Sequence, residues 1–196
     1  MTEILSARYS ALDVETTGLS PKKDEIIEIA IIPMLGSRIL IGGYFFSLVK
    51  PKKFRAESIK FHGIGIDAIN EAPSFERIAE RVRRIVEGSV VVCYSEFDAE
   101  ILKNHFSKVK MKFEFDWVDI SQIERWLARR EGRNEDLDMD GLIEKYGLCK
   151  IYRHTALADA YYTACIFQKQ LIRLSEYGVS LAELSRIGKR EKFIVW

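Results

Sequence analysis

Tyr9-Ser10-Ala11-Leu12-Asp13-Val14-Glu15-Thr16-Thr17-Gly18-Leu19 opens as an apolar strand and ends in two carboxylates. Successive strand side chains alternate between faces, so Asp13 and Glu15 share one side. Two acids at the end of an apolar strand repel each other and resist burial. A divalent cation resolves that conflict, because hard cations take oxygen ligands. The pattern alone is weak: at average composition an Asp-x-Glu arises by chance about 0.7 times in a chain of this length. Asp98-Ala99-Glu100 is a second instance in the same chain.

Downstream of that strand, Glu25 to Pro33 is rich in isoleucine and reads as a second strand, and Ile39 to Val49 as a third. The short connections, Gly18 to Asp24 and Leu35-Gly36-Ser37, predict an antiparallel meander. After Pro73 the period becomes helical. Phe75, Ile78, Ala79, Val82, Ile85 and Val86 repeat at helical spacing, with Ser74 as N-cap and Gly88 just past the end. Val90 to Cys93 is a continuous apolar run that suits a buried strand. A helix carrying Phe97, Ile101, Leu102 and Phe106 follows, then a fifth strand within Phe113 to Ile120. Three helical segments come next: Ser121 to Arg130, Met139 to Tyr146, and Thr155 to Leu174 with Leu157, Ala160, Tyr161, Ala164, Cys165, Leu171 and Ile172 on one face. This order predicts an α/β layer fold with a mixed five-stranded sheet, three antiparallel strands and then parallel additions, flanked by helices.

The chain has 196 residues, about one domain on the usual ~100–200 residues per domain. Its 47% hydrophobic and 30% charged residues are those of a globular protein, so a disordered or collagen-like chain is excluded. No stretch approaches the ~18 apolar residues of a membrane span. Met1 to Ser10 lacks the basic flank and apolar core of a secretion signal, so a cytoplasmic location is expected. Cys93, Cys149 and Cys165 lack metal-finger spacing and read as reduced packing residues. Thirty Lys plus Arg against 29 Asp plus Glu leave a net charge of +1, so no global positive field announces a nucleic-acid binder. Basic residues do gather at Lys50 to Arg55, Lys103 to Lys112, Arg125 to Arg133 and Arg186 to Lys192.

Other acids have local explanations. Ser95-x-x-Asp98 fits a capping box, and both Asp98 and Asp159 suit the dipole at a helix start. His154 stands five residues before Asp159, just outside the N-cap Thr155. Asp136-x-Asp138-x-Asp140-Gly141 opens like a calcium loop, but its twelfth position is Gly147 where a bidentate Glu is required. Gly63-Ile64-Gly65 lacks the remainder of a phosphate loop.

The order of four features together is specific: Asp13-Val14-Glu15-Thr16-Thr17-Gly18-Leu19, then Phe97-Asp98 after a buried strand, then His154-Thr155-Ala156-Leu157-Ala158-Asp159-Ala160. This set resembles the DEDD superfamily of 3′–5′ exonucleases in its histidine-containing DEDDh branch. That branch includes the epsilon-type proofreading subunits of bacterial DNA polymerase III, RNase T and oligoribonuclease. The sister branch carries Tyr four residues before the last Asp, where this chain has Thr155. Phe61-His62-Gly63-Ile64 and Ala72-Pro73-Ser74-Phe75 also look like the family's connection between motifs. Cys93-Tyr94 departs from the His-Asn that commonly precedes Phe-Asp, which puts the substrate contacts there in doubt.

The resemblance implies a ribonuclease H-like fold over residues 1–175, with 176–196 as a C-terminal tail ending in the apolar Phe193 to Trp196. It implies that Asp13, Glu15, Asp98 and Asp159 ligate two divalent ions, Mg²⁺ or Mn²⁺, and that His154 is the general base. Glu15 and the backbone around Thr16 receive the terminal 3′ hydroxyl, Leu19 wedges against the last base, and His62 and Phe97 complete the pocket. Tyr94 is placed to stack on a base, and Lys50 to Arg55 to hold the incoming backbone. The implied substrate is the 3′ end of single-stranded DNA, with a DNA polymerase subunit as a candidate partner. RNA is the alternative substrate, and a non-catalytic binding module the remaining one.

Overall fold

The computed structural model describes residues 3–52 and 64–189. Six strands form one mixed sheet: β1 (Arg8–Thr16), β2 (Ile26–Leu35), β3 (Arg38–Ile39), β4 (Phe45–Leu48), β5 (Val90–Cys93) and β6 (Trp117–Asp119). The order is β3-β2-β1-β5-β6, with β4 also pairing β2. β1 and β2 are antiparallel in a register that sets Asp13 opposite Ala30 and Glu15 opposite Glu28. β5 and β6 join in parallel. The helices are α1 (Ile66–Glu71), α2 (Phe75–Val86), α3 (Glu96–Lys108), α4 (Ile120–Arg130), α5 (Met139–Lys145), α6 (Ala156–Glu176) and α7 (Leu181–Ile187).

The sheet has six strands rather than the expected five because Ile39 to Val49 is not continuous. A single 3₁₀ turn at Ile41–Gly43 breaks it, and Tyr44 donates its amide to the Ile41 carbonyl. Gly42-Gly43 disfavours extended backbone, which turns one edge strand into two short ones at opposite ends of β2.

Strand alternation sorts the core. Tyr9, Ala11, Ala30, Ile32, Val90 and Val92 face α4, α5, α6 and α7. Leu12, Val14, Ile29, Ile31, Val91 and Cys93 face α2 and α3. Asp13 and Glu15 have the parity of Tyr9 and Ala11, so they open toward α6. α6 buries Tyr162, Thr163, Ile166, Phe167 and Gln170, whereas Tyr161 and Ile172, expected on its inner face, are exposed. The difference follows from its central position, where α6 meets the sheet on one side and α4 on another and buries a broader face.

Two smaller expectations also change. Cys93 and Cys165 are buried packing residues, but Cys149 is exposed in the stretch after α5. Ser74 stands at the N-cap of α2 without a side-chain hydrogen bond to it. After α6 the chain turns back and α7 buries Leu184 against the domain. Gly188 then reaches β6, its carbonyl accepting the Asp119 amide at 2.8 Å. A Cβ on Gly188 would lie 2.4 Å from Cβ of Val118, so only glycine permits that approach. Phe193 to Trp196 lies outside the described residues. No helix among the described residues is long and apolar enough to cross a membrane.

Candidate active site

Four elements converge on the acids. Asp13 and Glu15 sit near the end of β1, and Asp159 faces them from the first turn of α6. The carboxylate oxygens of Asp13, Glu15 and Asp159 lie within 4.8 Å of one another. Asp98, in the first turn of α3, joins them from the end of β5. Parallel pairing of β1 with β5 stops at Ala11 and Val92, short of Asp13.

The capping explanation of Asp98 is not met by a capping box, since Ser95 stands at the N-cap of α3 without a side-chain hydrogen bond. The dipole explanation of Asp159 is insufficient too, since its carboxylate is shared between the His154 amide, at 3.3 Å, and Arg153.

These acids are held under electrostatic stress. Burial raises the proton affinity of Asp13 well above the carboxylate range, and Asp98, Asp159 and Glu15 raise it further. Burial, then Glu28, pushes Glu15 up to about 7. Burial raises Asp98 as well, against the backbone amides that favour its charged form. Within the described residues Arg153 is the cation that opposes the trend at Asp13 and Glu15. A compact set of hard oxygen donors short of positive charge fits divalent cations.

The histidine is presented differently. His154 is exposed and its backbone lies in the left-handed region, φ 62°. That conformation is uncommon outside glycine, and His is among the residues enriched there. It turns the His154 amide inward to Asp159, while the residue as a whole stays exposed. Thr155 then caps α6 by accepting the Ala158 amide.

The other expected site residues divide. The Thr16 hydroxyl donates to the Gly18 carbonyl at 2.7 Å. Leu19 is 93% exposed, which removes core packing as its role. Phe97 and Tyr94 are half-buried, Phe97 against the α2–α3 core and Tyr94 against the α6 core. His62 and Lys53 to Arg55 lie outside the described residues. Lys50 is spent on the Asn70 carbonyl and does not face the acids alone. The Asp136-x-Asp138-x-Asp140 run holds the fold together: Asp136 pairs with Arg125, Asp138 caps α5, and Asp140 pairs with Lys150 and Arg153.

Three positioning residues escaped the sequence reading. Glu28 is buried and accepts the Ala156 amide at 2.9 Å, tying the start of α6 to β2. Its signal was available, a lone charge inside Ile26-Ile27-Glu28-Ile29-Ala30-Ile31-Ile32. Arg153 bridges Asp159 and Asp140, and only its place beside His154 hinted at this. Asp24 is buried and accepts the Ser20 amide at 2.9 Å and the Thr17 hydroxyl at 3.3 Å. A Cβ on Gly18 would come within 2.7 Å of the Asp24 carboxylate, so the loop presenting Leu19 needs glycine there.

Acids carried by β1, α3 and α6 thus gather at one end of the sheet, and comparison with known proteins gives the family. The chain belongs to the RNase T exonuclease family, whose model matches residues 10–167. It is 30% identical over 186 residues to a DNA polymerase III PolC-type of Caldanaerobacter subterraneus subsp. tengcongensis, covering 93% of this chain and 13% of that one. It is 29% identical over 191 residues to a DNA polymerase III subunit epsilon-like protein of Rhodobacter capsulatus, covering 92% and 27% respectively. The chain therefore spans about an eighth to a quarter of these relatives. Among solved structures, the nuclease domain of 3′hExo, a DEDDh family member bound to rAMP, superimposes with a TM-score of 0.70 at 20% identity, covering 91% of this chain and 95% of that one.

Proposed function

We propose that the chain is a metal-dependent 3′–5′ exonuclease that shortens single-stranded DNA from its 3′ end and releases nucleoside 5′-monophosphates. The observation that carries this reading is the meeting of Asp13, Glu15 and Asp159 within 4.8 Å, at carboxyls that resist ionisation without added cations. Asp13, Glu15, Asp98 and Asp159 would hold the ions. The chemistry supplied by two divalent cations, Mg²⁺ or Mn²⁺, is charge neutralisation, activation of the attacking water and stabilisation of the leaving oxygen.

His154 accepts the proton of that water at a ring nitrogen. An imidazole changes charge between about pH 5 and 8, so it takes up and returns a proton at neutral pH. Glu28 and Arg153 fix the start of α6 and so the place of both His154 and Asp159. The Thr16-Thr17-Gly18 turn, organised by Asp24, receives the terminal sugar, and the exposed Leu19 lies against the last base. A free 3′ end reaches the acids with its base unpaired.

DNA is favoured because relatives similar to this chain are named as DNA polymerase III proteins. RNA is the second reading, favoured by the ribonucleotide named with the DEDDh neighbour. The deciding experiment is a time course on a 5′-labelled DNA oligonucleotide and its RNA twin, with Mn²⁺, Mg²⁺ or chelator. A metal-dependent ladder shortening from the 3′ end, absent in Asp13→Asn, is expected, and the faster twin names the substrate. No shortening of either strand with any metal would overturn the reading.

A further inference from the structure

A groove of about 1000 Å³ lies between α4 and α7, apart from the acids. Gln122, Arg125, Trp126 and Arg129 contribute to it at i, i+3, i+4 and i+7, a single stripe of α4. Arg186 and Lys189 face them from the end of α7. Charge is strongly unbalanced there. Five cations line the groove against one acid, Glu183, and that acid is engaged by the Ser180 amide and hydroxyl. Arg125 and Lys189 have partners in Asp136 and Asp116. Arg129, Arg130 and Arg186 are exposed and form no ion pair among the described residues.

Flat apolar surface accompanies the charge. Trp126 and Tyr177 meet edge to face with centroids 5.7 Å apart, Arg130 lies over the Trp126 ring at 4.7 Å, and Tyr177 is 44% exposed. The stripe also leads toward the acids. The N-terminal end of α4 follows directly on β6, which pairs in parallel with β5, so Arg125 lies toward the end of the sheet where β5 leads into Asp98. Cations in excess of the one acid they share, Glu183, beside a half-buried Trp126 and an exposed Tyr177 suit a strand that offers phosphates and unpaired bases.

We propose that the α4–α7 groove binds the upstream, 5′-ward part of the single-stranded nucleic acid whose 3′ end lies at Asp13 and Glu15. The proposal rests on the exonuclease reading for its direction, while the groove itself recognises phosphodiester and base chemistry common to DNA and RNA. A strand running from the acids past Tyr94 and Arg125 then follows α4 for ~12 Å between Gln122 and Arg130. Short substrates would forgo this contact and longer ones would gain it.

The test measures binding in chelator, where no hydrolysis occurs, by fluorescence anisotropy of a labelled oligothymidylate. Arg129→Glu/Arg186→Glu is compared with Arg38→Glu/Arg84→Glu, which makes the same charge change elsewhere on the surface. The groove variant is expected to bind at least ~10-fold more weakly at low salt and to lose about 1.4 from the logarithmic salt slope. The control keeps an affinity near that of the unaltered chain. The milder Arg129→Gln/Arg186→Gln is expected to move the same way by less, and thermal melting verifies that each variant is folded.

Equal weakening in both reversed proteins would overturn the groove. A changed sedimentation coefficient of the free groove variant with unchanged oligonucleotide binding would also overturn it, and would assign the surface to contacts between copies. Hydrolysis by the unaltered chain with Mn²⁺ is scored separately. Groove-dependent binding without hydrolysis would sink the exonuclease reading alone, and hydrolysis without groove-dependent binding would sink the groove alone.

Discussion

Glu124 and Asp13 are both acids removed from water, and the fold treats them in opposite ways. Burial alone would raise Glu124, yet hydrogen bonds from Lys145, Tyr146 and Gln170 outweigh it and hold the carboxyl below its usual range. Lys145 lies 2.7 Å away, Gln170 donates at 3.0 Å, and Arg173 adds a contact at 3.4 Å. That network joins α4, α5 and α6 and leaves Glu124 satisfied. At Asp13 the neighbours are other acids, and their repulsion adds to the burial penalty. A structural acid is surrounded by partners, whereas a ligand is left with room and charge for something absent from the chain. On the proposed reading, local stability is given up in one place so that cations can be taken there.

Removing one carboxylate in each region breaks the comparison most forcefully. Asp13→Asn is expected to lower hydrolysis by ~10³-fold or more, roughly 4 kcal/mol in the barrier. The same change should raise the melting temperature of the metal-free protein near pH 8, because one repelling charge is gone. Glu124→Ala should do the reverse. It leaves Lys145 and Arg173 without a buried partner and costs about 3–5 kcal/mol of stability, read by denaturant unfolding, while activity per folded chain holds. If Asp13→Asn instead destabilises the metal-free protein, the strained-site account fails.

Acidity sharpens the contrast. Glu15 titrates near 4.5 when unperturbed and at about 7 in the fold, so the folded chain holds the extra proton between these values. Stability from that proton is complete below pH ~4 and is lost as pH rises through about 7, an effect of ~2–3 kcal/mol. Glu124 is displaced downward, so its contribution is present above the unfolded value and is lost on acidification. Melting in chelator should therefore weaken from pH 5 to 8, and added Mn²⁺ should reverse the loss. A metal-free melting temperature that stays level over that range would contradict the assignment of the acids. Melting of Glu124→Gln should lose the acid-side decline that the unaltered chain shows.

Smaller effects belong to the loop that presents Leu19. Gly18→Ala forces a Cβ against Asp24 and should cost ~1–3 kcal/mol, with KM for oligonucleotides rising as the turn shifts. Leu19→Ala removes an almost fully exposed side chain and should change stability by less than ~0.5 kcal/mol. Its expected signature is a several-fold rise in KM with the melting curve unmoved. An unchanged KM would return Leu19 to the ordinary surface.

What the sequence revealed and what it hid follow from the range of each interaction. Val90 to Cys93 was legible because four apolar residues between turns have few alternatives, and α2 because its stripe repeats over three turns. Asp13, Glu15 and Asp159, which meet within 4.8 Å, stood out only as members of an ordered set with Asp98 and His154, since every one has a local explanation. The split of β3 from β4 depends on Gly42-Gly43 overruling strongly extended neighbours, a contest that composition does not decide. Glu28 acts across the fold on α6, so its lone charge in an apolar strand could be seen but not its partner, whereas Arg153 on α5 and Asp24 on the Thr17–Ser20 turn act through loops whose shape no periodicity announces. The cationic stripe of α4 was visible as part of the basic run Arg125 to Arg133, but its meaning depends on α7 lying opposite.

Calorimetric titration of Mn²⁺ into the metal-free chain at pH 7.5, beside Asp13→Asn, tests the central claim most directly. The account predicts two ions per chain, release of protons as the stressed carboxyls ionise, and loss of at least one ion in the variant. Absence of binding, or identical binding and proton release in Asp13→Asn, would contradict it.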